Sequence, residues 1–573
     1  MIWGPTVQPG GHTRFALWAP GLTALSLDIE GRDALPMTPE ADGWFALETD
    51  APPGTRYRFR LPDGTAVPDP ASRLQGPDVH DASIVVDPAY DWRNPDWAGR
   101  PWAETVIYEA HVGAMGGYKG VTAALPRLAA LGITAVELMP LADFSGTRNW
   151  GYDGVLPFAP DSSYGTPQEL KALVDTAHGL GLIMFLDVVY NHFGPDGNYI
   201  SAYAPDFFKP NVPTPWGPAI AFSREPVARF FLDNALYWLT EYRFDGLRFD
   251  AVHAIGSPAF LDRLAAETRA AIGPDRHIHL MLENEENDAE RLERGYDAQW
   301  NDDFHNVLHV LLTDEHQAYY ADFADHPAER LARCLLEGFI YQGEGSPNHD
   351  GKPRGTPSAH LPPTRFVSFL QNHDQVGNRA MGDRLTTLVD ADRLRAATGL
   401  LLLAPQIPML FMGDEVGSHS PFLFFTDFHD ELADAVRNGR RSEFAKFPAF
   451  ADPEQRARIP DPNAASTFEA SRPKPGPDAD RWTALYTDLL ALRRTHIVPH
   501  LDACTSAGAD VLGDKAVIAH WQLGESVLTL ALNLGTAPVA LPVPADAETL
   551  ATIGQPMTNG QLPPATFIAW HAA

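Results

Sequence analysis

Phe244-Asp245-Gly246-Leu247-Arg248-Phe249-Asp250-Ala251-Val252-His253 is the stretch on which the reading of the fold turns. If Gly246 to Asp250 is extended, period-two alternation sends Leu247 and Phe249 to one face and Gly246, Arg248 and Asp250 to the other. In an ordinary core strand that second face would also be apolar. An Arg and an Asp turned into it are unfavourable unless each holds the other ionised. A carboxylate kept deprotonated in this way suits nucleophilic attack. The plainer alternative is a buried ion pair that only locks the strand.

Outward from that strand, the chain beyond Glu104 alternates strand-like and helix-like segments. Val106-Ile107-Tyr108, Ile133 to Leu138, Leu182 to Asp187, the opening stretch, His279 to Glu283, Ala298 to Asn301, Phe366 to Leu370 and Met409 to Met412 read as eight strands. Val121 to Leu131 and Pro167 to Gly179 read as helices between the first of them. Eight such units in series predict an α/β fold, a (β/α)₈ TIM barrel over residues 91–496 with loop insertions. Residues 1–90 read as a β-sandwich, with short runs such as Phe15 to Trp18, Leu25 to Ile29 and Tyr57 to Leu61 broken by Pro20-Gly21 and Pro62-Asp63-Gly64. Arg481 to Arg494 reads as the last barrel helix. Residues 497–573 read as a C-terminal antiparallel β-domain, carried by Val517 to Trp521 and Val527 to Asn533.

Composition bounds the partners. A chain of 573 residues exceeds what one core fills, so several domains are expected. The formal net charge of −31 disfavours nucleic acid and anionic membrane surfaces and leaves a neutral substrate comfortable. Two cysteines, Cys334 and Cys504, exclude a disulfide framework. Met1-Ile2-Trp3-Gly4-Pro5 shows no basic and then apolar leader pattern, and no apolar run is long enough to span a bilayer, so a cytoplasmic location is expected. No phosphate-cradling glycine loop and no zinc-type Cys/His spacing occurs, so neither a cofactor nor a metal site is predicted.

The polar residues gather where the strands end: Asp187 with Asn191-His192, Asp250 with His253, Glu283, Asn301-Asp302-Asp303, and Asn372-His373-Asp374. Barrel active sites sit on that face. Four of these segments, Asp187-Val188-Val189-Tyr190-Asn191-His192, Gly246 to His253, Glu283 after an apolar strand, and Asn372-His373-Asp374, resemble the ordered signature regions of the α-amylase superfamily of glycoside hydrolases. Finer stretches resemble one branch in particular, the malto-oligosyltrehalose trehalohydrolases. They are Leu282 to Asp288, Gln299 to His305, Leu370 to Arg379 and Pro421 to Asp427.

The resemblance implies retaining hydrolysis of an α-1,4 bond next to a terminal trehalose, with maltooligosyl trehalose and related α-glucans as substrates. Such a mechanism needs one ionised and one protonated carboxyl group about 5 to 5.5 Å apart. By resemblance Asp250 is the nucleophile, kept charged by Arg248, and Glu283 is the general acid/base, although spacing alone leaves Glu285 and Glu286 as rivals. Asp374 would stabilise the distorted sugar, with donors from His192 and His373. Tyr152, in Trp150-Gly151-Tyr152, would stack on a sugar ring, and Asn191 and His253 would line the same face. In several amylases the position matching Asn191 binds calcium, yet no dense cluster of oxygen ligands accompanies it here. Asp302 and Asp303 are expected to read trehalose hydroxyls, with Trp216 or Tyr341 walling that pocket. A glucan branching enzyme, with a similar Trp-Gly-Tyr-Asp-Gly loop, is the rival within the class. A non-catalytic glucan-binding protein would have lost one of the three carboxylates, and none is missing.

Overall fold

The computed structural model describes residues 3–8, 10–214, 216–542 and 547–572. Met1, Ile2 and Pro215, which entered the readings of the N-terminus and of the Trp216 turn, lie outside the described residues. Eight strands form a closed parallel barrel: β1 (Ile107–Ala110), β2 (Ala135–Leu138), β3 (Ile183–Val188), β4 (Gly246–Phe249), β5 (His279–Leu282), β6 (Ala298–Trp300), β7 (Phe366–Ser368) and β8 (Ile407–Phe411). The ring closes where Ile107 of β1 pairs with Met409 of β8. Each strand falls on a segment that the apolar pattern marked.

Side-chain parity inside the ring follows from the pleat. Ile107, Phe185, Met281, Trp300, Phe369 and Met409 fill the barrel interior as one apolar cluster. Leu247 and Phe249 of β4 belong instead to the core between the barrel wall and the helices. This alternation leaves Arg248 on the interior side, level with Asp187 of β3 and Met281 of β5. Gly246 begins β4 because a Cβ there would lie 2.2 Å from the His279 carbonyl and 2.8 Å from the Phe185 ring.

Among the helices that follow the strands are α1 (Gly117–Leu131), α2 (Pro167–Gly179), α3 (Glu225–Thr240), α4 (Pro258–Ile272), α5 (Asp302–Thr313), α6 (Ala391–Leu403) and α7 (Ala479–His496). α2 starts at a capping box between Thr166 and Glu169 with Pro167 as its first helical residue, which fixes its boundary sharply. The expected run of eight equal units is broken once. After β5 only the turn Ala289–Leu292 is helical, started by the Asp288 side chain and ended before Gly295 at φ 96°, three residues short of β6.

Two sheets precede the barrel. One orders Thr6–Val7, His12–Trp18, Trp44–Asp50 and Thr38–Pro39, and the other orders Leu35–Pro36, Ser26–Ile29, Arg56–Arg60 and Ala66–Val67. Their faces meet at Phe15 and Tyr57, whose rings lie 4.6 Å apart edge to face. Trp3 fastens this unit to the barrel by donating to the Pro226 carbonyl and packing on Phe230 of α3. A five-stranded antiparallel sheet follows α7, in the order Cys504–Gly513, Ala516–Leu523, Ser526–Asn533, Thr566–Ala572, Ala547–Ile553. Among the described residues no helix is long and apolar enough to cross a membrane.

Candidate active site

The C-terminal ends of β1, β3, β4, β5, β6 and β7 bring one polar cluster together, with Arg248 at its centre. Its side chain is fully buried, and its guanidinium lies 3.9 Å over the Trp300 ring of β6. From Nη1 it donates to Asp187 Oδ2 at 2.8 Å and to Asp250 Oδ1 at 2.8 Å. Nη2 lies 3.6 Å from Glu283 Oε2. One cation thus faces three carboxylates drawn from three neighbouring strands.

Asp250 and Glu283 are mostly covered, at 15% and 16% side-chain exposure, so both keep an opening to the cleft. Their surroundings differ. Burial pushes the Glu283 carboxyl well above the usual carboxylate range; Arg248 opposes that shift, and the charges of Asp250, Asp302 and Asp374 add to it. Asp374 goes the other way. Burial would raise it, but the charge and hydrogen bond of His373, and then Arg248, hold it below its ordinary value. The expected rivals of Glu283, Glu285 and Glu286, are exposed loop residues.

His373 carries its charge because of a carboxylate the sequence reading passed over. Glu109 of β1 accepts from His373 Nδ1 at 2.5 Å and from its backbone amide at 3.0 Å, and His373 Nε2 faces Asp374 Oδ1 at 3.4 Å. Although burial lowers the imidazole, Asp374 and Glu109 together lift it well above the ordinary histidine value. Tyr152 stacks on His373 with ring centroids 5.1 Å apart and donates its hydroxyl to Asp187 Oδ2 at 2.6 Å. Asp187 is consequently shared by Arg248 and Tyr152, and burial moves it up to about 6.

His192 donates to the Tyr152 carbonyl at 2.9 Å, lies beside the Asn191 side chain, and carries Trp216 stacked on its ring at 5.6 Å. Trp216 therefore stands beside the loop after β3. His253 accepts from the Glu285 amide at 3.4 Å on the rim. Asp302 opens α5 next to the cluster, where Gln375 donates to it at 3.4 Å, and burial followed by the charge of Asp374 moves it up to about 7.

Two expected substrate contacts do not reach the cleft. Asp303 is fully buried and accepts from Asn287 Nδ2 at 2.9 Å and from the Ile340 and Tyr341 amides at 2.8 and 3.2 Å, while pairing with Arg354 at 3.1 Å. Every strong donor around it belongs to a neighbouring loop. Tyr341 is buried as well and donates its hydroxyl to the Asp322 carbonyl. A helix alternates its faces faster than two adjacent residues can share one, so α5 turns Asp302 toward the cluster and Asp303 away from it.

Glu109, Glu137 and Trp300 are the neighbours of the cluster that sequence reasoning missed. The signal for the first two was present: a lone Glu inside each otherwise apolar segment of β1 and β2. Glu137 is buried with neither side-chain oxygen hydrogen-bonded. Among the described residues no group of three or more His, Cys, Asp or Glu side chains gathers as a candidate metal site, and Asn191 Oδ1 lies 3.1 Å from His192 Nδ1.

Known proteins resemble the chain over most of its length. Residues 86–211 match the family model for the alpha amylase catalytic domain, and residues 504–570 match a domain of unknown function. The malto-oligosyltrehalose trehalohydrolase of Deinococcus radiodurans is 40% identical, over 94% of this chain and 90% of its own length. The chain belongs to the malto-oligosyltrehalose trehalohydrolase family. Outside that trehalohydrolase family the likeness falls: the 1,4-alpha-glucan branching enzyme of Cutibacterium acnes is 32% identical over 42% of this chain and 41% of its own. The chain also superposes on a crystal structure of a candidate alpha amylase from Salmonella typhimurium with a TM-score of 0.94. The two are 44% identical, over 100% of this chain and 99% of that one.

Proposed function

We propose that the chain hydrolyses the α-1,4 bond between a maltooligosyl chain and a terminal trehalose, with net retention at the anomeric carbon. The observation that carries this reading is the unequal pair Asp250 and Glu283 around one buried arginine. Asp250 takes a charge-assisted bond from Arg248 and is the nucleophile. Glu283, kept protonated by burial, gives its proton to the leaving glycosidic oxygen and then takes one from the incoming water. Asp374, held ionised by His373, accepts hydroxyls of the distorted sugar as positive charge develops on the ring. Arg248 orients both carboxylates. Tyr152, fixed by Asp187 and stacked on His373, offers its face to the sugar, while His192, Asn191, Trp216 and His253 border it.

The family relationship over nearly the whole chain supports trehalose release over glucan transfer. Product analysis on maltooligosyl trehalose beside plain maltooligosaccharide tests it. Free trehalose from the first substrate at a kcat/KM well above that for the second is the expected result. Loss of iodine-stained amylose length without trehalose release, or formation of branches, would favour the branching-enzyme reading. We place the protein in the cytoplasm, where its two free, buried cysteines would stay reduced.

A further inference from the structure

Both side-chain oxygens of Glu109 are engaged by one residue. Oε1 accepts from His373 Nδ1 at 2.5 Å and Oε2 accepts from the His373 amide at 3.0 Å, so a single carboxylate holds the ring and the backbone together. The Glu109 backbone is fixed in turn, because its carbonyl accepts the Met412 amide just beyond β8. Glu137 stands level with it on β2, yet neither of its side-chain oxygens is hydrogen-bonded.

His373 is buried among aromatic rings: Tyr152 stacks on it at 5.1 Å, and Trp150 and Trp300 meet it edge-on at 5.5 and 6.1 Å. Its two ring nitrogens both face carboxylates, Nδ1 that of Glu109 and Nε2 that of Asp374. A neutral imidazole has one N–H and one lone pair, so it would set the lone pair against one of those oxygens; the imidazolium donates from both sides. The other titratable groups around it do not supply that balance. Burial pushes His111 down to about 4 and keeps Glu137 protonated, while Asp187 is shared by Arg248 and the Tyr152 hydroxyl. Arg248 bears on Asp374, in the same sense as His373 does. Glu109 and Asp374 are left to hold the cation, and of the two only Asp374 faces the reacting cluster.

We propose that Glu109 is a positioning residue for the hydrolysis: it fixes His373 as an imidazolium that donates from Nδ1 into the barrel wall and from Nε2 to Asp374, so that Asp374 meets the sugar as an ionised acceptor. The inference rests on the glycoside-hydrolysing reading, in which Asp374 accepts hydroxyls of the distorted ring. Those hydroxyl contacts strengthen as positive charge develops on the sugar, so the effect falls on kcat more than on KM. Glu109→Gln isolates the charge. Glutamine brings one acceptor and one NH2 group, where the His373 amide and the Nδ1–H together require two acceptors. Its oxygen can serve the amide only by turning the NH2 on Nδ1, which fits the neutral ring alone.

Nitrogen-15 NMR of histidine-labelled protein, with His373→Asn to assign the ring, reads the proton count directly. In the intact protein both ring nitrogens of His373 are protonated at pH 7, and in Glu109→Gln only Nε2 is. Across the same change kcat on maltooligosyl trehalose falls about tenfold, because a charge-assisted bond to Asp374 is replaced by a neutral one, and KM stays within about threefold. A neutral His373 in the intact protein would overturn the proposal, and that spectrum decides the point even if Glu109→Gln fails to fold. The same proton count in both proteins would overturn it as well. So would a neutral His373 in Glu109→Gln with kcat unchanged, since the charge would then have no part in turnover. An intact protein that leaves maltooligosyl trehalose uncut would instead sink the functional reading, while the spectra still report on the Glu109–His373 pair.

Discussion

The amide of Ala251 donates to Oε2 of Glu283, with Ala251 itself in the left-handed region at φ 41°. The residue after one reacting carboxylate is thereby tied to the other. Because Oε2 accepts from this amide and faces Arg248, the proton that burial keeps on Glu283 belongs on Oε1. The backbone strain at Ala251, of the order of 1–3 kcal/mol, is what points that amide across the strands.

Removing either reacting group should abolish turnover without unfolding the barrel. Asp250→Ala and Glu283→Gln are each expected to lower kcat by about 10³-fold or more, with melting temperature and far-UV circular dichroism near those of the parent. Steady-state kinetics on maltooligosyl trehalose makes the measurement. Near-parental turnover in a folded Glu283→Gln protein would move the acid role to Glu285 or Glu286.

Glu137 gives a stability prediction with a definite sign. Its carboxyl is pushed well above the ordinary range, by burial first and then by the charges of Asp187 and Glu109, whereas the unfolded chain ionises it near ~4.3. Between those two values the folded state binds more protons than the unfolded one, so stability falls as pH rises through that window. Glu137→Gln removes this loss while keeping the shape. The variant should match the parent below about pH 4 and gain about 1.4 kcal/mol per pH unit above it, until the folded group itself ionises. Urea unfolding at pH 4, 5.5 and 7 reads the trend. A constant difference across the three would show that Glu137 ionises alike in both states.

Much of this was legible in the sequence because apolar segments 3 to 6 residues long had nowhere to go but a barrel wall, and their boundaries carried strong punctuation. Thr166-Pro167 and Gly246 are examples. Period two correctly put Arg248 and Asp250 on the interior face, with Glu283 in step with His279 and Met281. What could not be read were relations across the ring. Glu109 meets His373 only because β1 and β7 both border β8, 264 positions apart in sequence. The eight-unit pattern does not show the short turn after β5, where Asp288 starts a helix that Gly295 and the nearness of β6 stop. Asp302 and Asp303 were treated as a pair since adjacency along the chain hides the rotation that α5 imposes.

Retention of configuration follows from Asp250 as a nucleophile, because two inversions at one carbon restore it. Proton NMR of the newly freed maltooligosaccharide reducing end should show the α-anomer first, with the β-anomer growing only as mutarotation proceeds. An initial β signal would mean that water attacks directly, and Asp250 would then have to be a base.

Asp302 and Asp303 should part company under mutation, although they are neighbours of one chemical type. Asp302 is partly exposed beside the reacting cluster with one long contact from Gln375, so it has acceptor capacity to spare for a sugar hydroxyl. Asp302→Asn is expected to cost about 1–3 kcal/mol more in kcat/KM on maltooligosyl trehalose than on maltooligosaccharide, with little change in melting temperature. Asp303 spends its oxygens on Asn287, Ile340, Tyr341 and Arg354. Asp303→Ala leaves Arg354, itself buried, without its carboxylate, and such a loss costs about 3–5 kcal/mol of stability. Differential scanning calorimetry and paired kinetics on both substrates separate the two effects. An equal fall on both substrates for Asp302→Asn, or an unaltered melting temperature for Asp303→Ala, would show that α5 does not divide the two roles between its faces.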